Sequence, residues 1–205
     1  MSANPFPNYI AGTWAAGSGV TVNINPSDLD DKIGDYSQAS SDQTVDAIEA
    51  AAAAFPDWRA TSPLVRFETV DKIGSEILAR VDDLGDMLAR EEGKTLPEAK
   101  AEAHRAGHLF KYFAAEAYRA TGDTYQSLRE GVSLKVLREP IGVVGVITPW
   151  NFPLAIPAWK IAPSLAYGNT VVFKPAELVP GSAWMLSDII SRAGLPEGVF
   201  NLVMG

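Results

Sequence analysis

The spacing of apolar residues divides the chain into three successive patterns. Between residues 9 and 38, short β-favouring stretches at 9–14, 20–24 and 33–37 are separated by Gly, Pro, Asn and Asp, which predicts a β-rich arm. From about residue 40 to residue 122, apolar residues recur every three or four positions, which is the period of amphipathic helices. Beyond residue 125 the pattern becomes that of strands alternating with helices.

The first predicted helix follows Ser40, which forms a capping-box pattern with Gln43. Its apolar face is predicted at positions 45, 48, 52 and 55, and the helix is expected to end at Pro56 because an internal proline breaks a helix. A second helical stretch begins at Ser62 and Pro63 and reaches residue 93, either as one bent helix or as two short ones.

A third helix is predicted to begin with a capping box of Thr95 and Glu98 and to end near Gly122. After it, Val132, Leu134 and Val136 alternate with polar residues. This alternation is typical of a strand with one wet face, which we expect at a sheet edge or a subunit contact.

The last third of the chain predicts a β-α-β-α-β unit. Nearly continuous apolar runs at 141–148, 170–173 and 199–204 indicate buried parallel strands, and helices are predicted between them at 154–167 and 180–193. Such a unit is half of a doubly wound nucleotide-binding sheet. A sheet that stopped after the third strand would leave an unpaired edge, so we expect the chain to be part of a larger fold.

The predicted fold class is therefore α/β: an incomplete Rossmann-like, doubly wound parallel sheet preceded by a mostly helical N-terminal region with a short β arm. We predict three parts. Residues 1–124 form the arm and the helices, 125–140 form an edge or oligomerisation strand, and 141–205 form the first half of the nucleotide-binding sheet. A catalytic domain is expected outside the chain.

The composition and charge of the chain exclude several classes of function. The 205 residues are 47% hydrophobic and 20% charged, which is the balance of a globular protein. The net charge of -8 and the lack of a basic stripe argue against nucleic acid. No basic leader and no run of about 18 apolar residues is present, so we expect no membrane segment and a cytoplasmic location. The chain contains no cysteine, which excludes disulfides and cysteine nucleophiles within it.

Candidate chemistry lies in the loops that follow two predicted strands. In residues 148–153, two prolines bracket Asn151 and hold its amide where it could donate to developing negative charge; alternatively, Asn151 caps the next helix. In residues 174–177, Lys174 and Glu177 suit the vicinal hydroxyls of a ribose, although a strand-end lysine and a solvated glutamate would look the same. His104 and His108 have the spacing of a metal-binding helix face, but no third ligand accompanies them and no metal site is predicted.

Several motifs resemble the NAD(P)-dependent aldehyde dehydrogenase superfamily. They are GKTLPEA at 93–99, EPIGVVG at 139–145, ITPWNFP at 147–153, AWK at 158–160, GNTVVFKPAE at 168–177 and GLPEGVFN at 194–201. The resemblance runs along the whole chain and covers less than half of a typical member. The resemblance implies that this chain is the N-terminal, cofactor-binding portion of an enzyme that oxidises an aldehyde to a carboxylic acid with NAD(P)+.

The resemblance also implies roles for individual residues. Asn151 would be the side-chain half of an oxyanion hole, and Phe152 would form a wall of the aldehyde tunnel. Lys160 matches a lysine to which a charge-relay role is sometimes assigned; alternatively, it forms an ordinary structural ion pair. Thr148 to Trp150 would line the nicotinamide side, and Lys174 with Glu177 would hold the adenosine ribose. The implied cofactor-binding residues are Ile147, Thr148, Pro149, Trp150, Lys174, Ala176 and Glu177.

In such enzymes a cysteine thiolate attacks the aldehyde and forms a thiohemiacetal, a hydride passes to the nicotinamide, and water hydrolyses the thioester. The cysteine, a glycine-rich turn and a general-base glutamate are expected beyond Gly205, so the chain alone is expected to be inactive. A carboxylate at the ribose, such as that of Glu177, would repel the 2′-phosphate of NADP, so NAD is the expected cofactor and NADP is possible. A full-length enzyme of this kind is expected to be a homo-oligomer.

Two questions of identity remain open from the sequence. The amino-acid sequence at 155–160 and 122–124 most resembles that of family members acting on 2-oxoglutarate semialdehyde. Members acting on succinate semialdehyde often carry an arginine where this chain has Trp159. The alternative to an enzyme is a truncated, non-catalytic module of the same fold that binds a nucleotide or mediates oligomerisation.

Overall fold

The computed structural model describes residues 4–119 and 122–205. The strands are β1 (Asn8–Ile10), β2 (Thr13–Ala15), β3 (Gly19–Ile24), β4 (Lys32–Gln38), β5 (Asp123–Gln126), β6 (Ser133–Val136), β7 (Val143–Ile147), β8 (Thr170–Lys174) and β9 (Phe200–Leu202). The helices are α1 (Ser41–Ala60), α2 (Pro63–Ala79), α3 (Val81–Glu92), α4 (Leu96–Glu116), α5 (Ala155–Ala166) and α6 (Pro180–Ser191), with a 3-10 turn at Ala117–Arg119. Within these ranges no helix is long and apolar enough to cross a membrane.

A five-stranded sheet in the order β2-β1-β9-β8-β7 forms the centre of the molecule. β7, β8 and β9 are parallel, as the β-α-β-α-β pattern predicts, and β1 pairs antiparallel with β9. The expectation of an unpaired edge beside β9 is wrong, because Tyr9 of the arm lies opposite Leu202. Side chains reinforce this seam: Asn201 Oδ1 accepts the Ala11 N–H at 2.9 Å, and Asn8 Oδ1 accepts the Met204 N–H at 2.8 Å.

Helices cover both faces of this sheet. Val146, Val171 and Phe173 belong to the large core that includes residues of α2 to α6. Val172 and Val203, which point to the opposite face, pack with residues of α1 in a smaller core. The sheet is therefore doubly wound, which confirms the predicted fold class.

The N-terminal arm forms two hairpins. The single strand predicted at 9–14 is wrong, because Ala11 and Gly12 have φ of 50° and 80° and turn the chain between β1 and β2. Two positive φ angles in succession are characteristic of the tight turns that match the twist of a hairpin. β3 and β4 contain the strands predicted at 20–24 and 33–37 and pair antiparallel.

Helix α1 begins as predicted and ends later than predicted. The capping box is complete, since Ser40 Oγ accepts the Gln43 N–H and the Gln43 side chain accepts the Ser40 N–H. The helix continues through Pro56 to Ala60. Pro56 lies on the exposed side of the helix, where water can satisfy the carbonyl that the missing N–H leaves free.

The buried face of α1 differs from the predicted one. Val45 and Ile48 are 50% and 46% exposed, whereas Ala47 and Ala51 are fully buried. Alanine allows the helix backbone to approach the sheet closely, and Thr170 Oγ1 of β8 donates to the Ala51 carbonyl at 2.9 Å. Close packing against a strand, rather than hydrophobicity alone, selected the inward face.

The second predicted helix is two helices, α2 and α3, which meet at Arg80. α3 ends at Glu92, and Gly93 caps it with a left-handed φ of 68°. The capping box predicted for Thr95 and Glu98 is incomplete. The Thr95 hydroxyl donates to Glu98 Oε2 at 2.6 Å and caps no backbone N–H of α4. α4 ends at Glu116, short of the predicted Gly122.

β5 and β6 form a separate antiparallel hairpin. Every residue of both strands is exposed, including Tyr125, Leu134 and Val136, each about half exposed. The sequence predicted one wet face, but both faces are exposed in the part of the chain that the structure describes.

Candidate functional site

Two loops leave the sheet side by side at the carboxyl ends of β7 and β8. Ile147 lies opposite Lys174 in the parallel register, and the Thr148 N–H donates to the Lys174 carbonyl at 3.3 Å. The loops 148–153 and 174–177 therefore start from the same edge. In open α/β sheets this edge is where ligands bind.

The loop 148–153 is fixed at its two ends and exposed in its middle. Thr148 and Pro153 are buried, while Trp150, Asn151 and Phe152 are exposed. Among the described residues the Asn151 carboxamide has no hydrogen-bond partner, and α5 begins after Leu154 without a side-chain cap of its own. The interpretation of Asn151 as a helix cap is therefore wrong, and its amide N–H groups are available to a ligand.

Glu102 of α4 holds the base of this loop. Its side chain is 2% exposed, and Oε1 accepts the backbone N–H groups of Leu154 and Ala155 at 2.9 and 3.1 Å. A carboxylate at this position stabilises the N-terminus of α5. Glu102 is not among the predicted site residues, although the sequence carries a signal for it: a glutamate among the small apolar residues of the inward face of α4.

Lys94 links Glu102 to the exposed part of the loop. Its Nζ lies 2.7 Å from Glu102 Oε2, 2.5 Å from Glu92 Oε2 and 4.8 Å from the centre of the Phe152 ring. Burial opposes the charged form of Lys94, but hydrogen bonds to the two glutamates raise its pKa. Lys94 therefore remains an ammonium that contacts the Phe152 ring through a cation-π interaction.

A cavity of about 630 Å³ opens beside the exposed loop. It is lined by Lys94, Glu98, Ala101, Glu102, Arg105, Asn151 and Phe152. The volume lies in the range of roughly 300–1,000 Å³ that is usual for small-molecule sites. The free Asn151 amide therefore borders a space large enough for a small substrate.

A second cavity, of about 490 Å³, lies on the α1 side of the sheet. Ile147 and Lys174 line it together with Val143, Gly145 and Val172, and with residues of α1 and of 203–205. No atom lies within 4 Å of where a Cβ on Gly145 would stand, so the strand leaves open space there. Apolar walls beside one ammonium fit a nucleoside, whose base is planar and whose ribose offers hydroxyl groups.

Lys174 lines this second cavity, and Glu177 follows it three residues later in the next loop. Lys174 Nζ lies 3.8 Å from Glu177 Oε2, and the side chains are 37% and 63% exposed. A pair at this distance and exposure is weak. Both groups therefore remain able to bond to a ligand.

The structure divides the predicted site residues between two places. Asn151 and Phe152 line the first cavity, and Ile147 and Lys174 line the second. Thr148, Pro149 and Trp150 form the chain segment that connects them, and Ala176 and Glu177 follow Lys174. Lys160 is exposed on α5, outside the lining of both cavities. The Lys160 ammonium makes no ion pair within the described ranges, and both interpretations of this lysine stay predictions.

The two histidines of α4 lie together. His104 Nε2 and His108 Nε2 are 3.3 Å apart. In residues 4–119 and 122–205, no group of three or more histidine, aspartate or glutamate side chains is arranged to hold a metal ion.

The fold and the two cavities define an α/β protein with a doubly wound sheet and a ligand-binding edge at the carboxyl ends of its parallel strands. Residues 14–205 match the aldehyde dehydrogenase family. The chain belongs to this family, as its motifs indicated.

Curated and solved relatives agree with this assignment. An alpha-ketoglutarate semialdehyde dehydrogenase of Haloferax volcanii is 39% identical over 98% of this chain. A solved NADP-dependent enzyme of E. coli superposes with a TM-score of 0.94 at 38% identity, covering 98% of this chain and 42% of its own. A solved betaine aldehyde dehydrogenase variant of Staphylococcus aureus in complex with NAD+ superposes with a TM-score of 0.94 at 32% identity. The match covers 99% of this chain and 42% of that one. The chain spans about 42% of the length of the Haloferax relative.

Proposed function

We propose that this chain is the cofactor-binding part of an enzyme that oxidises an aldehyde to a carboxylic acid with NAD(P)+. The observation that carries the proposal is the Asn151 amide, which is unbonded within residues 4–119 and 122–205 and is held on a loop between two prolines beside a cavity of about 630 Å³. Membership of the aldehyde dehydrogenase family supports it. Because the chain has no cysteine, the nucleophile of the reaction must come from outside these 205 residues.

Each part of the chain has a defined task in this proposal. The bound nicotinamide supplies the hydride acceptor. Asn151 donates a hydrogen bond to the oxygen that becomes negative when the aldehyde carbon is attacked, and the stiff loop reduces the reorganisation that this requires. Phe152, held against Lys94, forms an apolar wall of the substrate cavity. Lys160, whose ammonium has no partner within the described residues, stays a predicted catalytic contributor.

For the cofactor, we propose NAD in preference to NADP, with both accepted. In this proposal Lys174 and Glu177 would bond to ribose hydroxyls, and the other cofactor contacts would be Ile147, Thr148, Pro149, Trp150 and Ala176. The Glu177 carboxylate would repel a 2′-phosphate. The test measures kcat/KM of the longer enzyme for NAD and for NADP. Glu177→Gln should bring the two values closer together. An unchanged ratio of the two values would contradict the proposed role of Glu177.

For the substrate, we propose a semialdehyde, with 2-oxoglutarate semialdehyde as the first candidate. The similarity to the Haloferax enzyme, which is named for that compound, supports this choice. The location that we propose is the cytoplasm.

The decisive experiment compares this chain with a longer protein that continues into a cysteine-bearing region. With a panel of aldehydes, we expect the longer protein to form NADH and the 205-residue chain to form none. NADH formation by the chain alone would contradict the proposed division of the active site. Failure of the longer protein with every aldehyde would remove the enzymatic proposal.

The alternative function is that of a non-catalytic module that binds a nucleotide or mediates oligomerisation. The exposure of the hairpin β5–β6 favours its oligomerisation role. A two-stranded hairpin with both faces exposed is marginally stable by itself, so a second copy of the chain is its expected partner. We therefore propose a homo-oligomer for the longer enzyme as well. Light scattering after size exclusion tests this, and a monomer at all concentrations would contradict it.

A further inference from the structure

Three arginines line a cavity of about 390 Å³ that shares no lining residue with the two cavities of the candidate site. Arg59 is in the last turn of α1, Arg66 is in the first turn of α2, and Arg138 is in the loop before β7. Pro140 and Tyr167, which come shortly before β7 and β8, also line the cavity. The cavity therefore stands near the amino ends of these strands, whereas the candidate site lies at their carboxyl ends.

Arg66 is a buried cation that has no counter-ion in the part of the chain that the structure describes. The residue is 9% exposed. Its Nε donates to the Ala166 carbonyl at 3.0 Å, and its Nη1 donates to the carbonyl of Thr61. These acceptors are neutral, and a buried charge is costly unless an opposite charge accompanies it. The Nη2 group makes no hydrogen bond within the described residues, so part of the guanidinium is left for a ligand.

The other two arginines of the cavity also have no carboxylate partner. The Cζ of Arg59 lies 5.6 Å from the centre of the Phe55 ring, and Arg138 is exposed. Within residues 4–119 and 122–205 neither guanidinium makes an ion pair, not even with Glu139, which lines the same cavity. Three guanidinium groups and one carboxylate leave the lining with two positive charges in excess.

The N-terminus of α2 adds to this positive charge. A helix N-terminus carries a partial positive charge, which an acidic residue in the first turn commonly balances. The first turn of α2 contains no acidic residue and contains Arg66 instead. Pro63, the first residue of the helix, lines the cavity. An anion in the cavity would therefore supply the negative charge that the helix end and the three arginines lack.

We propose that this cavity binds the phosphate group of a small phosphomonoester. A phosphate monoester carries a charge of about −1.5 to −2 at neutral pH, which matches the excess positive charge of the lining. Guanidinium groups bind phosphate oxygens through paired hydrogen bonds, and three of them can approach different oxygens of one tetrahedral group. Pro63, Pro140 and Tyr167 provide apolar surface for the organic part of the ligand.

The test measures the binding of phenyl phosphate and of inorganic phosphate to the longer enzyme by isothermal titration calorimetry. Saturating NAD fills the proposed cofactor cavity, and chloride keeps the ionic strength constant. We expect phenyl phosphate to bind several-fold more tightly than phosphate, because its ring adds contacts with the apolar surface. R59Q and R138Q should each raise the dissociation constants about 10-fold, because hydrogen bonds between charged groups are lost. Arg66 is left intact because its bonds to Thr61 and Ala166 support the fold.

R129Q is the matched control, because Arg129 is an exposed arginine between β5 and β6, outside the lining of this cavity. It should leave both dissociation constants unchanged. An equal loss of affinity in R129Q would indicate nonspecific attraction to positive charge and overturn the proposal.

Two further results would overturn the site: no binding of either ligand at millimolar concentration, or unchanged dissociation constants in both R59Q and R138Q. Equal affinity of the wild type for the two ligands would overturn the phosphomonoester in favour of free phosphate. None of these measurements depends on aldehyde oxidation, so this proposal and the proposed function are tested separately.

Discussion

Asn151 combines an exposed amide with a backbone that has little freedom, because Pro149 and Pro153 flank it and Glu102 fixes the residues that follow. Replacement by alanine should remove one oxyanion donor and leave the loop in place. In the longer enzyme we expect Asn151→Ala to lower kcat about 10²- to 10³-fold. The dissociation constant of NAD should remain unchanged, because Asn151 lines the other cavity. Steady-state kinetics and cofactor titration measure these two quantities, and an unchanged kcat would contradict the assignment.

Glu102 acts on the same loop without contacting the proposed substrate position. In Glu102→Gln one carboxylate oxygen becomes an amide donor, so the backbone N–H groups at the start of α5 and Lys94 can no longer both be satisfied. We expect the free energy of unfolding to fall by about 1–3 kcal/mol. Hydrogen exchange at the Leu154 and Ala155 amides should become faster.

Glu98→Gln provides the control for this prediction, since Glu98 is exposed on the same helix and is bonded to Thr95 rather than to the start of α5. Exchange at the two amides should be unaffected in that variant. If Glu102→Gln left their exchange unchanged, Glu102 would not be the group that holds the start of α5.

Between elements, one buried carboxyl group connects α3 to the start of α6. Glu91 accepts the N–H groups of Gly181 and Ser182 and the Ser182 hydroxyl, each at 2.6 Å, and also the Asn23 amide. Burial outweighs these hydrogen bonds and raises the pKa of Glu91 from 4.5 to about 7. A carboxyl group thus reaches the N-terminus of α6 at a considerable desolvation cost.

The raised pKa makes stability depend on pH. The folded chain holds the Glu91 proton more tightly than the unfolded chain, so the free energy of unfolding should fall as pH rises from about 4.5 to about 7. Denaturant unfolding across this window should show a smaller fall in Glu91→Gln than in the wild type. Glu130→Gln, at an exposed position, should behave like the wild type. Identical pH dependence in all three proteins would contradict the assignment.

Local signals determined where several elements begin. The Ser40 capping box and the Ser62–Pro63 start were predictable because both depend on neighbouring residues. The inward face of α1 was not predictable, because it follows from how closely the helix approaches β8. The role of Glu102 was not predictable for the same reason, because the backbone N–H groups that it accepts lie 52 and 53 residues further along the chain.

For the whole molecule, the N-terminal arm is part of the central sheet. Asn8 is fully buried, and its Oδ1 accepts the N–H of Met204 at the far end of the chain. Asn8→Ala would leave that buried N–H without a partner, so we expect the free energy of unfolding to fall by about 1–3 kcal/mol. Thermal or denaturant unfolding measures the change. Asn4→Ala, at an exposed position of the same arm, should have no effect, and equal stability of the two variants would refute this role of Asn8.

The sequence by itself determined the fold class, the order of the β-α-β-α-β unit and the loops at 148–153 and 174–177, because these follow from local periodicity, turn residues and motifs. The tertiary structure decided what distant residues contribute. It paired the arm with β9, placed Asn151 and Lys174 beside two different cavities, and bonded Lys94 to Glu102. These outcomes depend on packing and on competition for hydrogen bonds between distant segments, which the pattern of a single chain does not encode locally.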